Sequence, residues 1–219
     1  MIDLDRVVFD CPSFIYWIGN ILFTKTHLDN KLTYNLIDTE KVSGYTNLLF
    51  FIKMSHSKNY TQVDNSIEIL KKWNNQGFNI SFVSSRPNFK SLQKATVEWL
   101  KENDIKFDDL IFTCTNKPVF CKINNFDVMI DDTLDNCIGA KKLDVTPIWV
   151  RTKFNIDEVD FPKDIFNTSS WTEIDAFVQS LYSQNSFDSI NINSNEEATP
   201  TYTTSDFTVL NTNTDASEM

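Results

Sequence analysis

Two aspartates stand two residues apart at the start of the chain, in the run I-D-L-D-R-V-V-F-D of residues 2–10. Residues i and i+2 of a strand point to the same face, so Asp3 and Asp5 are predicted to project together. Open α/β sheets bind their ligands at the carboxyl ends of their strands. Paired carboxylates need a positive charge nearby, and a divalent cation is the usual source. The run therefore indicates a magnesium and phosphoryl site, although a surface strand with two solvated acids has the same pattern.

Side chains suited to that chemistry also follow three later predicted strands. A carboxylate can attack phosphorus, and a second carboxyl can protonate the leaving oxygen and then activate water. A hydroxyl beside backbone N–H groups binds phosphate oxygens, a lysine neutralises charge, and a further aspartate completes the oxygen shell of magnesium. Any one of these residues alone is more often a solvated surface residue. In chain order they are Ser84 with Ser85, Lys117, and Asp131 with Asp132.

Regular alternation of helices and strands after residue 63 must position these side chains. Apolar periodicity and end signals predict an α/β fold, with a Rossmann-like, mostly parallel sheet flanked by helices. Right-handed crossovers place the carboxyl ends of the parallel strands at one edge. The predicted strands are residues 79–83, 110–113, 126–130 and 147–150, and the predicted helices are residues 65–77, 89–102, a short one after Lys117, 134–143 and one that opens at Ser170-x-x-Glu173.

The remaining segments suggest an insertion and a tail around a core formed by residues 1–12 and 61–183. Residues 13–60 are predicted to form a small helical cap inserted after the first strand. Aromatic residues there could roof a substrate ring, although aromatic residues at helical spacing are more often core. Residues 184–219 contain no lysine or arginine and are rich in Ser, Thr and Asn, which predicts a disordered acidic tail. The candidate roof residues are Phe14, Tyr16, Trp17 and Phe50.

Composition restricts the class of protein and its partners. The chain has 219 residues, of which 41% are hydrophobic and 13% aromatic, enough for a substantial core. A net charge of −10 counts against a nucleic-acid polymer or a membrane surface as the main partner. The four cysteines form no C-x-x-C pair, so we expect reduced cysteines, no zinc site and a cytoplasmic protein. Acids stand where a signal peptide would carry lysines.

A family resemblance rests on four motifs in chain order: the opening run, F-V-S-S-R-P at residues 82–87, the lysine of T-N-K-P at 115–118, and D-V-M-I-D-D at 127–132. Together with T-V-E-W-L at residues 96–100, they resemble the haloacid dehalogenase superfamily of phosphatases. Within it, the chain is most similar to the cytosolic-type 5′(3′)-deoxyribonucleotidases and their bacterial and phage relatives. The resemblance covers residues 2–183 and implies a HAD-like fold with the small cap after the first motif.

The resemblance also implies roles for the site residues. Asp3 would be the nucleophile and Asp5 the general acid/base, while Ser84, with Ser85 beside it, would bind phosphate. Lys117 would neutralise charge, with Lys122 as the weaker candidate for that lysine. Mg²⁺ would be held by Asp3, by the backbone carbonyl of Asp5 and by Asp131, with Asp132 in support. The implied activity is hydrolysis of a small phosphomonoester, a (deoxy)nucleoside monophosphate in this group, through an aspartyl-phosphate.

Other interpretations remain open at the level of sequence. Receiver domains use similar residues, but their hydroxyl and lysine follow all the acids, and a dehalogenase needs only the first aspartate. The chain has Arg6 where the family pattern has glycine, and only Met1 and Ile2 precede Asp3, which implies a short first strand or a start further upstream. A catalytically impaired binding protein of the same fold is therefore one alternative. A phosphatase for a sugar phosphate or a nucleic-acid 3′ end is another, and a homodimer is left open.

Overall fold

The structure is a computed structural model, and it describes residues 1–10, 60–86, 88–188 and 208–211. The predicted helical cap at residues 13–60 lies outside the described residues apart from Tyr60, and Pro87 lies outside them as well. The four candidate roof residues, Phe14, Tyr16, Trp17 and Phe50, belong to that segment. The predicted core at residues 61–183 is described except for Pro87.

Strands and helices alternate through the described core. The strands are β1 (Phe9–Asp10), β2 (Thr61–Gln62), β3 (Ser81–Val83), β4 (Asp109–Phe112), β5 (Val128–Asp131), β6 (Thr146–Val150), β7 (Phe166–Thr168) and β8 (Thr208–Asn211). The helices are α1 (Ser66–Gln76), α2 (Lys90–Glu102), α3 (Lys117–Ile123), α4 (Leu134–Lys142) and α5 (Trp171–Asp188).

A mostly parallel sheet lies between these helices. Strands β3 and β4 pair in parallel, as do β5 with β6 and β6 with β7. Strand β8 pairs with the outer side of β4 and is antiparallel to it. The predicted α/β fold with a mostly parallel sheet flanked by helices is confirmed.

Residues 1–3 join the two halves of this sheet. The amide of Ile2 donates to the carbonyl of Ser81 at 2.9 Å, and the amide of Val83 donates to the carbonyl of Ile2 at 3.0 Å. On the other side, the amide of Asp3 donates to the carbonyl of Ile130 at 2.9 Å. The segment is therefore a short central strand in the parallel direction, between β3 and β5.

The strand predicted to carry both Asp3 and Asp5 ends at Asp3, and this is a correction to the sequence analysis. The chain turns from Leu4 onward, because the amides of Val8 and Phe9 both donate to the carbonyl of Leu4. It then enters β1, which pairs with β2 in a two-stranded antiparallel ribbon. Leu4, Val7 and Val8 are fully buried in this turn, so their apolar character is no sign of a longer strand.

Alternate side chains of the strands enter two hydrophobic clusters, as expected for a sheet covered on both faces. Phe82, Leu110 and Ile130 belong to a cluster with apolar residues of α1, α2 and α5. Val83, Ile111 and Met129 belong to a second cluster with residues of α3 and α4. The helices thus hold both faces of the sheet and fix the positions of its strand ends.

The first and last helices illustrate how well local sequence signals predicted the helix ends. Gly77 ends α1 with a φ of 83°, a left-handed conformation that glycine adopts at little cost. Asn65 stands at the N-terminal end of α1, but its side chain makes no capping hydrogen bond. Ser170 caps the last helix as predicted, because its hydroxyl accepts the amide of Glu173 at 3.4 Å.

The tail differs from the expected disordered segment of residues 184–219 at two places. Helix α5 continues beyond Gln184 to Asp188, and β8 pairs with β4 in the register Leu110 with Leu210. The unpaired side of β4 offers backbone groups that an extended segment can bond, even one of low hydrophobicity. The other tail residues lie outside the described part of the chain. Among the described residues, no helix is long and apolar enough to cross a membrane.

Candidate active site

The carboxyl ends of the central strands bring the candidate residues to one edge of the sheet. Asp3 ends the N-terminal segment, Ser84 follows β3, and Asp131 is the last residue of β5. Lys117 begins α3, which follows β4. Neighbouring parallel strands therefore supply the hydroxyl, the ammonium group and the carboxylates.

Lys117 joins two of the aspartates. Its Nζ lies 2.7 Å from Oδ1 of Asp3 and 2.8 Å from Oδ2 of Asp131, and all three side chains are buried. Asn116 starts the helix that carries this lysine, since its side-chain oxygen accepts the amide of Val119 at 3.3 Å. The other candidate, Lys122, is half-exposed and lies near Asp144 at the surface. The geometry therefore selects Lys117 over Lys122 as the lysine of the cluster.

Asp131 is held by groups on both sides of its carboxylate. The amide of Thr133 donates to Oδ1 at 2.8 Å, while Nδ2 of Asn136 lies 3.2 Å from each of the two oxygens. Together with Lys117, these donors leave the carboxylate little freedom to rotate. A fixed orientation of this kind is what a catalytic or metal site requires of its ligands.

Asp132 is positioned through its main chain. Its carbonyl oxygen accepts the indole N–H of Trp149 at 3.0 Å and the Nδ2 group of Asn155 at 2.8 Å. Asn155 is itself buried in the loop after β6, where it also donates to the carbonyl of Val150. Strand β6 and the loop after it therefore fix the main chain of the second acid in the D-D pair.

Asp3, Asp131 and Asp132 together fit a divalent cation. One carboxylate oxygen from each lies within 4.8 Å of the others, and all three residues are buried. Mg²⁺ prefers hard oxygen ligands and is usually held by few carboxylates. The donor set is chemically suitable for Mg²⁺, which would add to the positive charge that Lys117 already places beside Asp3 and Asp131.

Burial and charge shift the pKa values of the central pair. Burial raises the pKa of Asp3 to about 7, the charges of Asp131 and Asp5 act in the same direction, and Lys117 opposes them. Burial alone would lower the pKa of Lys117, but the charges and hydrogen bonds of Asp131 and Asp3 outweigh it and raise that pKa. The lysine is therefore a permanent positive charge beside Asp3.

Asp5 is bound by Arg86 rather than by Lys117. The Nε of Arg86 donates to Oδ2 of Asp5 at 2.7 Å, and its Nη2 donates to Oδ1 at 2.5 Å. Arg86 is buried, whereas the side chain of Asp5 is 31% exposed. The charge of Asp5 nevertheless acts on Asp3, so both acids of the first motif belong to one electrostatic cluster.

The two serines after β3 differ in their surroundings. Ser84 is buried at the strand end, and its hydroxyl accepts the amide of Arg86 at 3.2 Å. Ser85 is exposed, and its hydroxyl donates to the carbonyl of Cys114 at 3.0 Å. Ser84 thus lies buried at the same edge of the sheet as Asp3 and Asp131, while Ser85 ties the loops after β3 and β4 together.

Arg6 adds a second arginine at this edge. The backbone of Arg6 has a φ of 63°, a left-handed conformation that is unusual for a residue other than glycine. Its guanidinium carbon lies 4.1 Å from the ring centre of Phe154, in the same loop as Asn155. A guanidinium nitrogen lies 3.7 Å from Oδ2 of Asp132. The chain therefore takes a left-handed conformation at Arg6 and places a cation beside Asp132.

Sequence reasoning missed several residues that hold the site together. Motif spacing identifies the acids and the lysine, but it does not reveal which donors orient them. A signal was present in the S-S-R-P turn, since an arginine directly after a predicted strand end has to find an anionic partner if it is buried. The residues missed are Arg86, Tyr60, Thr96, Asn136, Trp149 and Asn155.

Comparisons with known proteins agree with this architecture. No family model matches the chain, and no curated protein matches it significantly. Solved structures do match, and three of them share 10–15% of their residues with this chain. A haloacid dehalogenase-like hydrolase from Streptococcus pneumoniae superposes with a TM-score of 0.55 at 10% identity, covering 81% of this chain and 96% of that one. A HAD phosphatase from Thermococcus onnurineus superposes with a TM-score of 0.53 at 14% identity, covering 81% of this chain and 95% of that one.

A β-phosphoglucomutase from Clostridium difficile gives a TM-score of 0.52 at 15% identity, covering 85% of this chain and 97% of that one. The chain therefore has the fold of the haloacid dehalogenase-like hydrolases.

Proposed function

We propose that this protein is a Mg²⁺-dependent phosphomonoesterase that transfers the phosphoryl group to Asp3 and then to water. The observation that carries the proposal is the buried lysine bridge from Lys117 to Asp3 and Asp131, with Asp132 within metal-binding distance of both acids. Such a cluster offers a carboxylate, a cation and oxygen ligands at a single point. Phosphoryl transfer depends mainly on positioning and charge neutralisation, and this cluster supplies both.

In the first half-reaction, an oxygen of Asp3 attacks phosphorus and the bond from phosphorus to the leaving oxygen breaks. Asp5 gives its proton to that oxygen, so the product alcohol leaves neutral. Lys117 offsets the charge of Asp3 and of the incoming phosphate, and the hydroxyl of Ser84 binds a phosphate oxygen. The resulting aspartyl-phosphate joins Asp3 to the phosphoryl group.

In the second half-reaction, Asp5 takes a proton from water as the water oxygen attacks phosphorus. The bond from phosphorus to Asp3 breaks, and inorganic phosphate and the free carboxylate result. Asp3, Asp131, Asp132 and the carbonyl of Asp5 would hold Mg²⁺, which when bound screens the charge on the phosphoryl oxygens. Asn136 and Thr133 keep Asp131 oriented throughout.

The substrate we propose is a nucleoside or deoxynucleoside monophosphate. This part of the proposal depends on the sequence motifs, which resemble those of the deoxyribonucleotidases. The net charge of −10 is less suited to a nucleic-acid polymer, so a small phosphomonoester is the better candidate.

The test is phosphate release from a panel of nucleoside monophosphates, sugar phosphates and p-nitrophenyl phosphate, with Mg²⁺ and with EDTA. We expect release that requires Mg²⁺, is highest with nucleotides and is abolished in Asp3→Asn while the fold is retained. Activity in Asp3→Asn equal to that of the unchanged protein would overturn the assigned nucleophile. A preference for sugar phosphates would change the substrate and leave the reaction class in place.

A second candidate function is phosphate-ester or nucleotide binding without turnover. It is favoured by the contact of Arg6 with Asp132, because that cation lies where the metal-binding acids meet. This candidate predicts that nucleotides raise the melting temperature while no phosphate is released. The same panel, read by thermal shift and by phosphate assay, separates the two functions.

A further inference from the structure

Arg86 is the centre of a buried hydrogen-bond network that has no assigned role in the proposed reaction. Two of its nitrogens donate to the two oxygens of Asp5, at 2.7 and 2.5 Å. Its remaining nitrogen, Nη1, donates to the hydroxyl of Tyr60 and to the hydroxyl of Thr96, both at 3.1 Å. The planar guanidinium is thus held at both ends, with Asp5 on one side and two hydroxyls on the other.

The surroundings of Arg86 fix it further. Its guanidinium carbon lies 4.9 Å from the ring centre of Phe9 and 5.1 Å from that of Tyr60, and these two rings stack on each other at 4.5 Å. Thr96 is anchored in turn, because its hydroxyl donates to the carbonyl of Leu92 at 2.8 Å. Arginine stacked on aromatic rings and bonded to a rigid helix has little rotational freedom.

The network joins distant parts of the chain to the general acid/base. Phe9 lies in β1 and Tyr60 directly precedes β2, so the antiparallel ribbon of these strands is packed against the guanidinium. Thr96 lies in α2, and Asp5 lies in the turn that follows the short central strand ending at Asp3. Arg86 therefore connects Asp5 to the β1–β2 ribbon and to α2.

We propose that Arg86 is the positioning residue for Asp5 and that Tyr60 and Thr96 act by holding Arg86; the inference rests on the proposed phosphomonoesterase function. A carboxyl group has about four lone-pair positions, of which the guanidinium occupies two. The other two remain for exchange of the proton with the leaving oxygen and with water. The side chain of Asp5 is 31% exposed, so the carboxyl group is accessible from solvent.

The leaving group of the substrate provides the test. An alkyl phosphate needs a proton on its leaving oxygen, whereas p-nitrophenolate leaves without one. A displaced Asp5 should therefore reduce kcat/KM for an alkyl phosphomonoester and leave kcat/KM for p-nitrophenyl phosphate nearly unchanged. Positioned acid–base groups contribute about 10²–10⁴-fold, so we expect a selective loss of about tenfold or more in Arg86→Lys.

Two milder variants protect the test against misfolding of Arg86→Lys. Thr96→Val and Tyr60→Phe each remove one hydroxyl and keep the shape of the side chain. Both should lower the ratio of kcat/KM for the alkyl ester to kcat/KM for p-nitrophenyl phosphate. Arg86→Lys should lower the same ratio by a larger factor. Melting temperatures measured in parallel identify the variants that fold.

The matched control is Asp175→Asn, which breaks a hydrogen-bonded ion pair with Lys72 between α1 and α5, away from the site. Asp175→Asn should lower the melting temperature without changing the ratio of the two kcat/KM values. Equal losses for both esters in Arg86→Lys, Thr96→Val and Tyr60→Phe would overturn the positioning role and leave the proposed function intact. No release from either ester by the unchanged protein would overturn the proposed function itself, and the positioning role with it.

Discussion

A guanidinium nitrogen of Arg6 lies 3.7 Å from Oδ2 of Asp132, and both side chains are almost completely buried. Asp132 is one of the three acids whose oxygens lie within 4.8 Å of one another, so Arg6 is a positive charge at the candidate metal site. A left-handed residue other than glycine costs about 1–2 kcal/mol, yet the fold keeps Arg6 at a φ of 63°. The fold thus holds the charged side chain of Arg6 at this position although its backbone conformation is unfavourable.

The first prediction is that Arg6→Gly binds Mg²⁺ more tightly. Two unit charges at about 4 Å interact by roughly 4 kcal/mol at an effective dielectric constant near 20. The guanidinium of Arg6 and Mg²⁺ are both positive, so some repulsion of this order opposes metal binding. We expect the Kd for Mg²⁺ to fall by about tenfold, which is about 1.4 kcal/mol. Titration calorimetry on protein treated with EDTA and then desalted measures it directly.

Lys153→Ala is the control for that measurement. Lys153 lies in the same loop as Phe154, and its Nζ lies 3.5 Å from Oδ2 of Asp10, which is not a member of the triad. Lys153→Ala removes one positive charge and keeps the contact of Arg6 with Asp132. Its Kd for Mg²⁺ should therefore stay near that of the unchanged protein. Equal tightening in both variants would mean that net charge alone is responsible, and no change in Arg6→Gly would refute the role of Arg6.

The second prediction concerns pH and the stability of the metal-free protein. Burial raises the pKa of Asp3 to about 7 from an ordinary value of 3.8. A carboxyl that binds its proton more tightly when folded stabilises the fold fully below the unfolded pKa, and this contribution is lost as pH rises through about 7. Asp3→Asn stays neutral, so in EDTA its melting temperature should exceed that of the unchanged protein at pH 8 by more than at pH 5.

Asp175→Asn provides the opposite case for that comparison. The pKa of Asp175 is lowered: burial opposes the shift, but hydrogen bonds from Lys72, Trp73 and Gln179 outweigh it. Its contribution is present above the unfolded pKa and is lost only as pH falls through the lower folded pKa. The difference in melting temperature between Asp175→Asn and the unchanged protein should thus be the same at pH 5 and pH 8. A constant difference for Asp3→Asn as well would contradict the raised pKa.

Much of the candidate site could be predicted because it depends on topology. Parallel strands joined by helical crossovers necessarily end at one edge, so residues such as Asp3, Lys117 and Asp131 meet although they are far apart in sequence. Periodicity also located α1 through α5, and Gly77 and Ser170 marked helix ends correctly. Local and global preferences agree in this part of the chain.

What could not be predicted depends on side-chain partners that no periodicity encodes. Arg86 and Asp5 are 81 positions apart, and only the folded chain shows that they pair. The turn after Asp3 was hidden because Leu4, Val7 and Val8 are apolar, as strand residues would also be. Strand β8 was missed because Val209 and Leu210 lie in a long, mostly polar segment, and only the folded chain shows that they pair with β4.

The third prediction is that Lys117→Met strongly destabilises the metal-free protein. The substitution leaves Asp3 and Asp131 buried next to each other without their shared cation. Removing one partner of a buried ion pair costs about 3–5 kcal/mol, which urea unfolding in EDTA can measure. Saturating Mg²⁺ should restore part of the loss, because it supplies the missing positive charge.

The double variant Asp3→Asn with Lys117→Met tests the cause of that loss. It removes one charge of each sign, so it should cost clearly less than Lys117→Met alone. A double variant as unstable as Lys117→Met would mean that the packing of the lysine stem, rather than its charge, supports the fold.

The fourth prediction links helix packing to activity through Gly139 of α4. A Cβ at this position would lie 2.8 Å from Cγ of Pro118, closer than side chains pack, and 3.2 Å from Cβ of Pro118, which is a tight contact. Alanine usually favours a helix over glycine by about 1 kcal/mol, but here Pro118 must move. Pro118 follows Lys117 in α3, so the movement shifts the lysine away from Asp3 and Asp131. We expect Gly139→Ala to lower stability by about 1–3 kcal/mol and kcat by about tenfold or more.

Gly77→Ala separates the effect on activity from the effect on stability. Gly77 has a φ of 83° and no atom within 4 Å of an added Cβ, so alanine there strains the end of α1 without touching the site. We expect a loss of about 1 kcal/mol in the free energy of unfolding, with kcat and KM unchanged. Urea unfolding and phosphate release, measured on both variants at the same pH, make the comparison. If Gly139→Ala loses stability and keeps full kcat, as Gly77→Ala should, the contact between α3 and α4 supports the fold without setting the position of Lys117.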